Sequence, residues 1–227
     1  MDISKNKAGE NMTYIEYVCN WIAQQSIGKP IYLHDIAEDM AEYFVLEKKG
    51  AAVAVSVAVK RIMDGKIIKE LRLYRKGIYY LTEKTAFGEF PIDKDRLILD
   101  RYLANGNGYE TGITFLYRLG LTTQIPINRF LATNRVTTNR TDNSLNVTLC
   151  SPKTVIDNDN KDYLQVLDAL EILDKAPIDS EEPPYLLLAR HIKKNGLSYE
   201  KLLAIANNYY NKNTILKLAK TASEDVA

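Results

Sequence analysis

From Thr13 to Gln25 the apolar positions Ile15, Val18, Cys19 and Ile22 fall three or four residues apart, with Tyr14 and Trp21 beside them. That spacing puts them on one face of a helix. Thr13 is a suitable cap, and Glu16 three residues later completes a capping box. Gly28-Lys29-Pro30 stops the helix, and Ile31-Tyr32 reads as a short extended piece. Asp35 to Tyr43 is a second short helix with Ile36, Ala37 and Met40 inward, and Lys48-Lys49-Gly50 reads as the turn into a third. There the period is ambiguous, because Val53, Val55, Val57 and Val59 alternate as in a strand. The alanines between them and the helical set Val55, Val59, Ile62 and Met63 favour a helix, which Asp64-Gly65-Lys66 ends. Ile67 to Leu71 then reads as a strand, Arg72 to Gly77 as a basic loop and Ile78 to Leu81 as a second strand. Recognition helix, strand, basic wing, strand is the second half of a winged helix-turn-helix, a DNA-binding module.

After Thr85 the texture changes. Phe87-Gly88-Glu89-Phe90-Pro91 reads as a linker. Asp93 to Ala104 is a helix ended by Asn105-Gly106-Asn107-Gly108, and Thr111 to Leu119 is another, capped by Gly120. Phe130 to Thr137 and Leu145 to Cys150 read as strands around a polar turn, Asn139 to Ser144. Asn160 to Lys175 is an amphipathic helix, residues 176–184 an acidic, proline-bearing loop, and 185–195, 198–208 and 212–221 three closing helices. The expected organisation is a polar, disordered arm over 1–12, within which Met12 is an alternative start, a winged helix over 13–84, a linker over 85–92 and a mixed, mainly helical α+β domain over 93–227. The fold class is α+β.

Charge sharpens this picture. Residues 48–84 hold ten Lys/Arg against three acids, net +7, inside a chain of formal net charge +1. The first 47 residues are net −5, residues 157–182 net −7, and residues 184–227 net +4. A basic block that falls on the two elements of a winged helix that touch phosphate points to DNA rather than to a merely solvated face. The candidate DNA contacts are Lys48, Lys49, Ser56, Lys60, Arg61, Arg72, Arg75 and Lys76. The third helix offers little hydrogen-bond readout: Ser56, Lys60 and Arg61, beside small Ala51 and Ala52 that admit close approach to thymine methyls. The wing and DNA shape are then expected to carry more of the specificity.

Other chemistry has little support. His34 and His191 lie in different expected domains, against a metal site or a Ser/His/Asp triad built on either. Gly106-Asn107-Gly108 lacks the spacing of a nucleotide loop. The acids at 157, 159 and 162 lack the Gly and distal Glu of a calcium loop, and Asp157 or Asp159 is better read as a helix cap. Asp93, Asp95, Asp100 and Glu110 are close enough in sequence to make paired carboxylates for phosphodiester chemistry worth testing. Cys19 and Cys150 form no CxxC pair and read as buried thiols. No metal, cofactor or catalytic residue is assigned. With no long apolar run and no signal-like start, a cytoplasmic protein that does not engage membranes is expected.

The second domain carries Gly108-Tyr109-Glu110-Thr111-Gly112, then Leu119-Gly120-Leu121-Thr122-Thr123-Gln124-Ile125-Pro126, then Thr133-Asn134-Arg135, then Leu164-Gln165-Val166-Leu167-Asp168-Ala169-Leu170. With an N-terminal winged helix ending in Lys-Gly-Ile-Tyr-Tyr-Leu, the chain resembles the AbiEi-like antitoxins of bacterial abortive-infection toxin–antitoxin systems. The resemblance covers most of residues 13–215, and the phrase from Leu119 to Pro126 is its most specific part. It implies a bacterial, non-enzymatic regulator that autorepresses its operon by binding inverted repeats through the winged helix, and whose second domain counters a nucleotidyltransferase-like toxin. Such systems are classed as type IV, in which the antitoxin need not bind the toxin, so the toxin is a functional partner. An inverted-repeat operator leaves a homodimer on DNA open. As residues, the Leu119–Pro126 phrase is explained by a helix C-cap at Gly120 and an extended entry to a strand. The alternatives are a nucleic-acid-modifying enzyme targeted by a winged helix, and a protein-interaction module.

Overall fold

The first helix is closed at its start by a reciprocal pair of hydrogen bonds. In the computed structural model, which describes residues 12–226, the Glu16 N–H donates to Thr13 Oγ1 at 3.3 Å and the Thr13 N–H to the Glu16 carboxylate at 2.8 Å. Helix α1 then runs Tyr14–Ala23 and buries Val18 and Ile22. The arm expected over 1–12 lies outside the described residues except for Met12. Strand β1 (Ile31–Tyr32) leads into α2 (Leu33–Phe44), and α3 covers Lys48–Asp64. Strands β2 (Leu71–Arg75) and β3 (Ile78–Leu81) complete an antiparallel sheet in the order β1-β3-β2. Val18, Ile22, Ile36, Met40, Val55, Val59 and Ile62 build the core beneath it.

Two details differ from the sequence expectation. Lys48, Lys49 and Gly50 are the first turn of α3, not a turn before it. Ile67–Glu70 is a connector, and β2 takes in Arg72 to Arg75, which were expected as a loop. The cause is how α3 ends. Lys66 adopts a left-handed φ of 50°, and the Ile67 N–H turns back to the Ile62 carbonyl at 3.0 Å. After Ile62, Leu71 is the next fully buried residue, 2% exposed and opposite Leu81.

The segment 85–92, expected as a linker, begins with a tied hairpin. Strands β4 (Lys84–Thr85) and β5 (Gly88–Glu89) pair antiparallel. The Thr82 hydroxyl donates to the Phe90 carbonyl at 2.8 Å, and the Asp93 N–H donates to the Gly28 carbonyl at 2.8 Å. The chain divides into two compact units between Leu97 and Ile98. That point lies within a helical run, α4 (Lys94–Ile98) continued by a π-helical turn at Leu99–Leu103 and a 3-10 turn at Ala104–Gly106.

In the second unit a four-stranded sheet is made by β6 (Gly108–Glu110), β7 (Arg129–Thr133), β8 (Arg140–Asp142) and β9 (Val147–Cys150), in the order β6-β7-β9-β8. Strands β7 and β9 are parallel, so they are not the two arms of a hairpin. The polar stretch between them supplies the edge strand β8. Helix α5 (Gly112–Arg118) lies between β6 and β7 in the chain; α6 (Lys161–Ile172), α7 (Pro184–Lys194), α8 (Tyr199–Tyr209) and α9 (Lys212–Val226) follow the sheet. Phe115, Leu116, Leu121, Leu167, Leu170, Leu188 and Leu202 share their core. Gly120 ends α5 at φ 73°. The Leu121 N–H reaches the Leu116 carbonyl at 3.0 Å, closing the helix end. The class is α+β. Among the described residues, no helix is long and apolar enough to cross a membrane.

Candidate nucleic-acid interface

Helix α3 divides cleanly into two faces. Ala51, Val55, Ala58, Val59 and Ile62 are buried. Lys49, Ala52, Val53, Ser56, Val57 and Lys60 are exposed, three or four residues apart along the opposite face. Lys48 and Arg61 flank that stripe, also exposed, and Asp64 ends it. From Lys48 to Met63 the helix contains no acid. Ala51, expected beside DNA with Ala52, is fully buried. The apolar groups that do face outward are Val53, 65% exposed, and Val57, 45% exposed. Lysines in the first turn of a helix oppose its macrodipole, and Glu47 makes no side-chain cap bond there. An anion near Lys48 and Lys49 would relieve both.

The β2–β3 hairpin is tighter than a six-residue basic loop. Its turn is Lys76-Gly77, with Gly77 at φ 81°. Only glycine takes that conformation at little cost. A bulge between Leu73 and Arg75 adjusts the register. The Leu33 N–H donates to the Gly77 carbonyl at 3.1 Å, which ties the turn to the start of α2. Lys76 is exposed at the turn, and the Arg75 guanidinium lies 5.1 Å from the Tyr74 ring centroid.

Arg72 behaves differently from its neighbours. Its Nε donates to Glu89 Oε2 at 3.0 Å, its Nη2 pairs with Glu89 Oε1, and its Nη1 donates to the Lys69 and Leu71 carbonyls at 2.7 and 3.0 Å. The guanidinium holds the Glu89 carboxyl below the usual carboxylate range. The sequence pattern puts Arg72 in a basic loop and Glu89 in a linker. No local signal connects them, because only the β4–β5 hairpin brings them together. The candidates thus separate: Lys49, Ser56 and Lys60 on the α3 stripe, Lys48 and Arg61 beside it, Arg75 and Lys76 at the hairpin turn, and Arg72 held by β5.

The turn from α2 to α3 carries a backbone outlier. Val45 has φ 54° and is 90% exposed, and the next N–H, of Leu46, donates to the Ala41 carbonyl at 2.9 Å. A β-branched residue is costly in this region.

In the second unit, two of the distinctive phrases meet on one carboxylate. Asp168 accepts from the Tyr109 hydroxyl at 2.9 Å, the Thr111 hydroxyl at 2.9 Å and the Tyr210 hydroxyl at 2.7 Å. Burial raises the Asp168 pKa against the pull of these donors. Burial, and the carboxylate beside them, push both phenols well above the usual tyrosine range. Gln165 reaches the Glu110 carbonyl at 2.7 Å. The Glu110 carboxylate is paired with Arg118 and Arg129.

This is hydrogen-bonded packing within the second unit. Asp93 caps α4, accepting the Arg96 N–H at 2.9 Å, and it and Asp95 belong to the first unit, Asp100 and Glu110 to the second. Asp157 accepts the Asp159 and Asn160 N–H groups at 2.8 Å each, at the entrance of α6. His34 sits beside Asp35 at 3.2 Å, and His191 lies edge-on to the Phe115 ring at 5.3 Å, its pKa lowered by burial. Cys19 and Cys150 are free, half-buried thiols, each pushed up by burial. Among the described residues, no group of three His, Cys, Asp or Glu could hold a metal ion.

No model of a protein family matches this chain, and no curated protein matches it. Among solved structures it is similar to the crystal structure of the RV2827C protein from Mycobacterium tuberculosis, with 11% identity and a TM-score of 0.46, over 98% of this chain and 79% of that one. At that level of likeness, no property of that protein is carried over to this chain.

Proposed function

We propose that this chain is a DNA-binding antitoxin of the AbiEi-like kind. Its first unit acts as a winged helix-turn-helix that represses its own toxin–antitoxin operon, and its second unit counters a nucleotidyltransferase-like toxin without chemistry of its own. The observation that carries the DNA half is the outer face of α3, where a stretch without acids from Lys48 to Met63 leaves Lys49, Ser56 and Lys60 exposed. The element order α1-β1-α2-α3-β2-β3 and the net +7 over residues 48–84 support the same reading. The antitoxin half rests on the resemblance of the second unit's phrases. The two phrases that meet at Asp168 serve packing in this reading, so the partner surface lies elsewhere on that unit. Double-stranded DNA carrying inverted repeats is the proposed ligand, and a homodimer would match its symmetry.

A gel-shift with the chain's own upstream region tests the first half. Retarded, salt-sensitive binding is expected, and absence of binding at low salt overturns it. Co-expression with the toxin encoded beside it tests the second. Rescue by the full chain, kept when Asp93, Asp95 or Asp100 is changed to Ala, is expected. Loss of rescue in a variant that still folds would move the reading to an enzyme. Glu110 is unsuited to this test, because its ion pairs with Arg118 and Arg129 make it structural.

A further inference from the structure

We infer that α3 reads thymine methyl groups in the major groove, with Val53 and Val57 as specificity-determining contacts and Lys49 and Lys60 on the flanking phosphates. This rests on the DNA-binding reading above and names what the helix would recognise. Three observations lead to it. First, Val53 and Val57 are not needed by the core. The buried face of α3 is already made by Val55, Val59 and Ile62, yet Val53 and Val57 stand 65% and 45% exposed in the middle of the outer face. A helical valine is nearly locked at χ1, so it offers a rigid apolar contact at small entropic cost.

Second, the chemistry of base edges selects one occupant. In the major groove the thymine C5-methyl is the apolar feature; the other base groups there are hydrogen-bond donors and acceptors. Valine over those polar edges would desolvate them without replacing a bond. Over thymine it buries a methyl.

Third, the charges are placed for a groove. Lys49 and Lys60 are eleven residues apart on the stripe, about 16 Å at 1.5 Å per residue. The major groove is about 12 Å wide, so lysines at the two ends can reach phosphates on either side while Val53, Ser56 and Val57 lie over the bases. An acidic protein surface would match the lysines but gives no reason for two exposed valines midway between them.

The test uses the full chain and the tightest duplex it selects from a random-sequence DNA library. That duplex is remade with uracil for thymine, position by position, which deletes only the C5-methyl. Expected is a three- to five-fold loss of affinity, roughly, at each contacted position. V53A/V57A should bind the thymine duplex about tenfold more weakly, and uracil substitution should then cost it less than about twofold. Its salt dependence should be unchanged, because no phosphate contact is lost. V53T/V57T keeps the side-chain shape but puts a hydroxyl in place of one methyl, and should show an intermediate loss; its unchanged thermal midpoint shows that folding is intact. Equal affinity for thymine and uracil duplexes, with DNA binding intact, overturns this inference alone. A uracil penalty that persists undiminished in V53A/V57A also overturns it. Failure to select any duplex overturns the DNA-binding reading and this inference together.

Discussion

The Arg72 guanidinium is clasped by the Glu89 carboxylate, 17 residues on, in a two-pronged pair that links β2 to β5. A cation expected on DNA is thereby engaged within the protein. Glu89→Gln should release it, strengthening duplex binding and steepening the salt dependence by about one phosphate contact. Thermal stability should change little, because both side chains are substantially exposed. Fluorescence anisotropy with a fixed duplex across a salt series reads the result. Unchanged affinity and slope would mean that Arg72 faces away from DNA in either state.

The short β2–β3 turn brings Arg75 and Lys76, the charges of the proposed wing, side by side. Replacing both with Ala should weaken binding to all sequences about equally and lower the salt slope by about 2. Arg72→Ala should have a smaller effect. A double variant that binds like the parent at every salt concentration would remove the hairpin from the interface.

Val45 holds a positive φ in the turn between α2 and α3. Asn tolerates this region far better than a β-branched residue. Val45→Asn should therefore raise stability by about 0.5–1 kcal/mol, seen as a higher denaturant midpoint with the same m-value. The side chain is 90% exposed, so little packing is lost. A lower midpoint would show that the turn does not hold this conformation in solution.

Asp168 should impose a pH dependence on the second unit. Its folded pKa is raised above the reference value of 3.8. The folded state therefore holds the proton longer than the unfolded chain. The stability linked to this group is complete below about pH 3.8 and is lost as pH rises through the higher folded value. Asp168→Asn should flatten that slope in denaturant titrations across the acidic range. Asp168→Ala should cost about 2–4 kcal/mol by leaving the hydroxyls of Tyr109, Thr111 and Tyr210 without their acceptor. Tyr109 and Tyr210, raised above 10, add the same sign at the alkaline end: their contribution is present below pH 10 and lost above it. A titration insensitive to Asp168→Asn would contradict the buried carboxylate.

Where the first unit ends can be checked by truncation. A fragment ending at residue 84 lacks β5, Phe90 and the bond from Asp93 to Gly28, whereas one ending at 97 keeps them. The longer fragment should melt several degrees higher. Limited proteolysis should spare 88–93 relative to an untied loop. Equal melting temperatures would restore the reading of 85–92 as a plain linker.

The local pattern alone determined most helices and several strands. The Thr13–Glu16 box, the inward set Val55, Val59 and Ile62, and Gly120 as a helix end depend on residues within a few positions of one another. Interactions of that range are written directly in periodicity and capping chemistry. The clustered charge over 48–84 was legible for the same reason. What the tertiary structure decided was pairing over distance. The strand start at Leu71 depends on its partner Leu81, and the fate of Arg72 on Glu89. The parallel pairing of β7 with β9, and the convergence of Tyr109, Thr111 and Tyr210 on Asp168, join residues far apart in the chain. The outer face of α3 lies between these cases. Its lysines could be named from sequence, but Ala51 and Val53 are both apolar neighbours on one helix. The period that turns Val55 and Val59 inward also places Ala51 on the buried face, and packing against α1 and α2 fixes how far Val53 stays exposed.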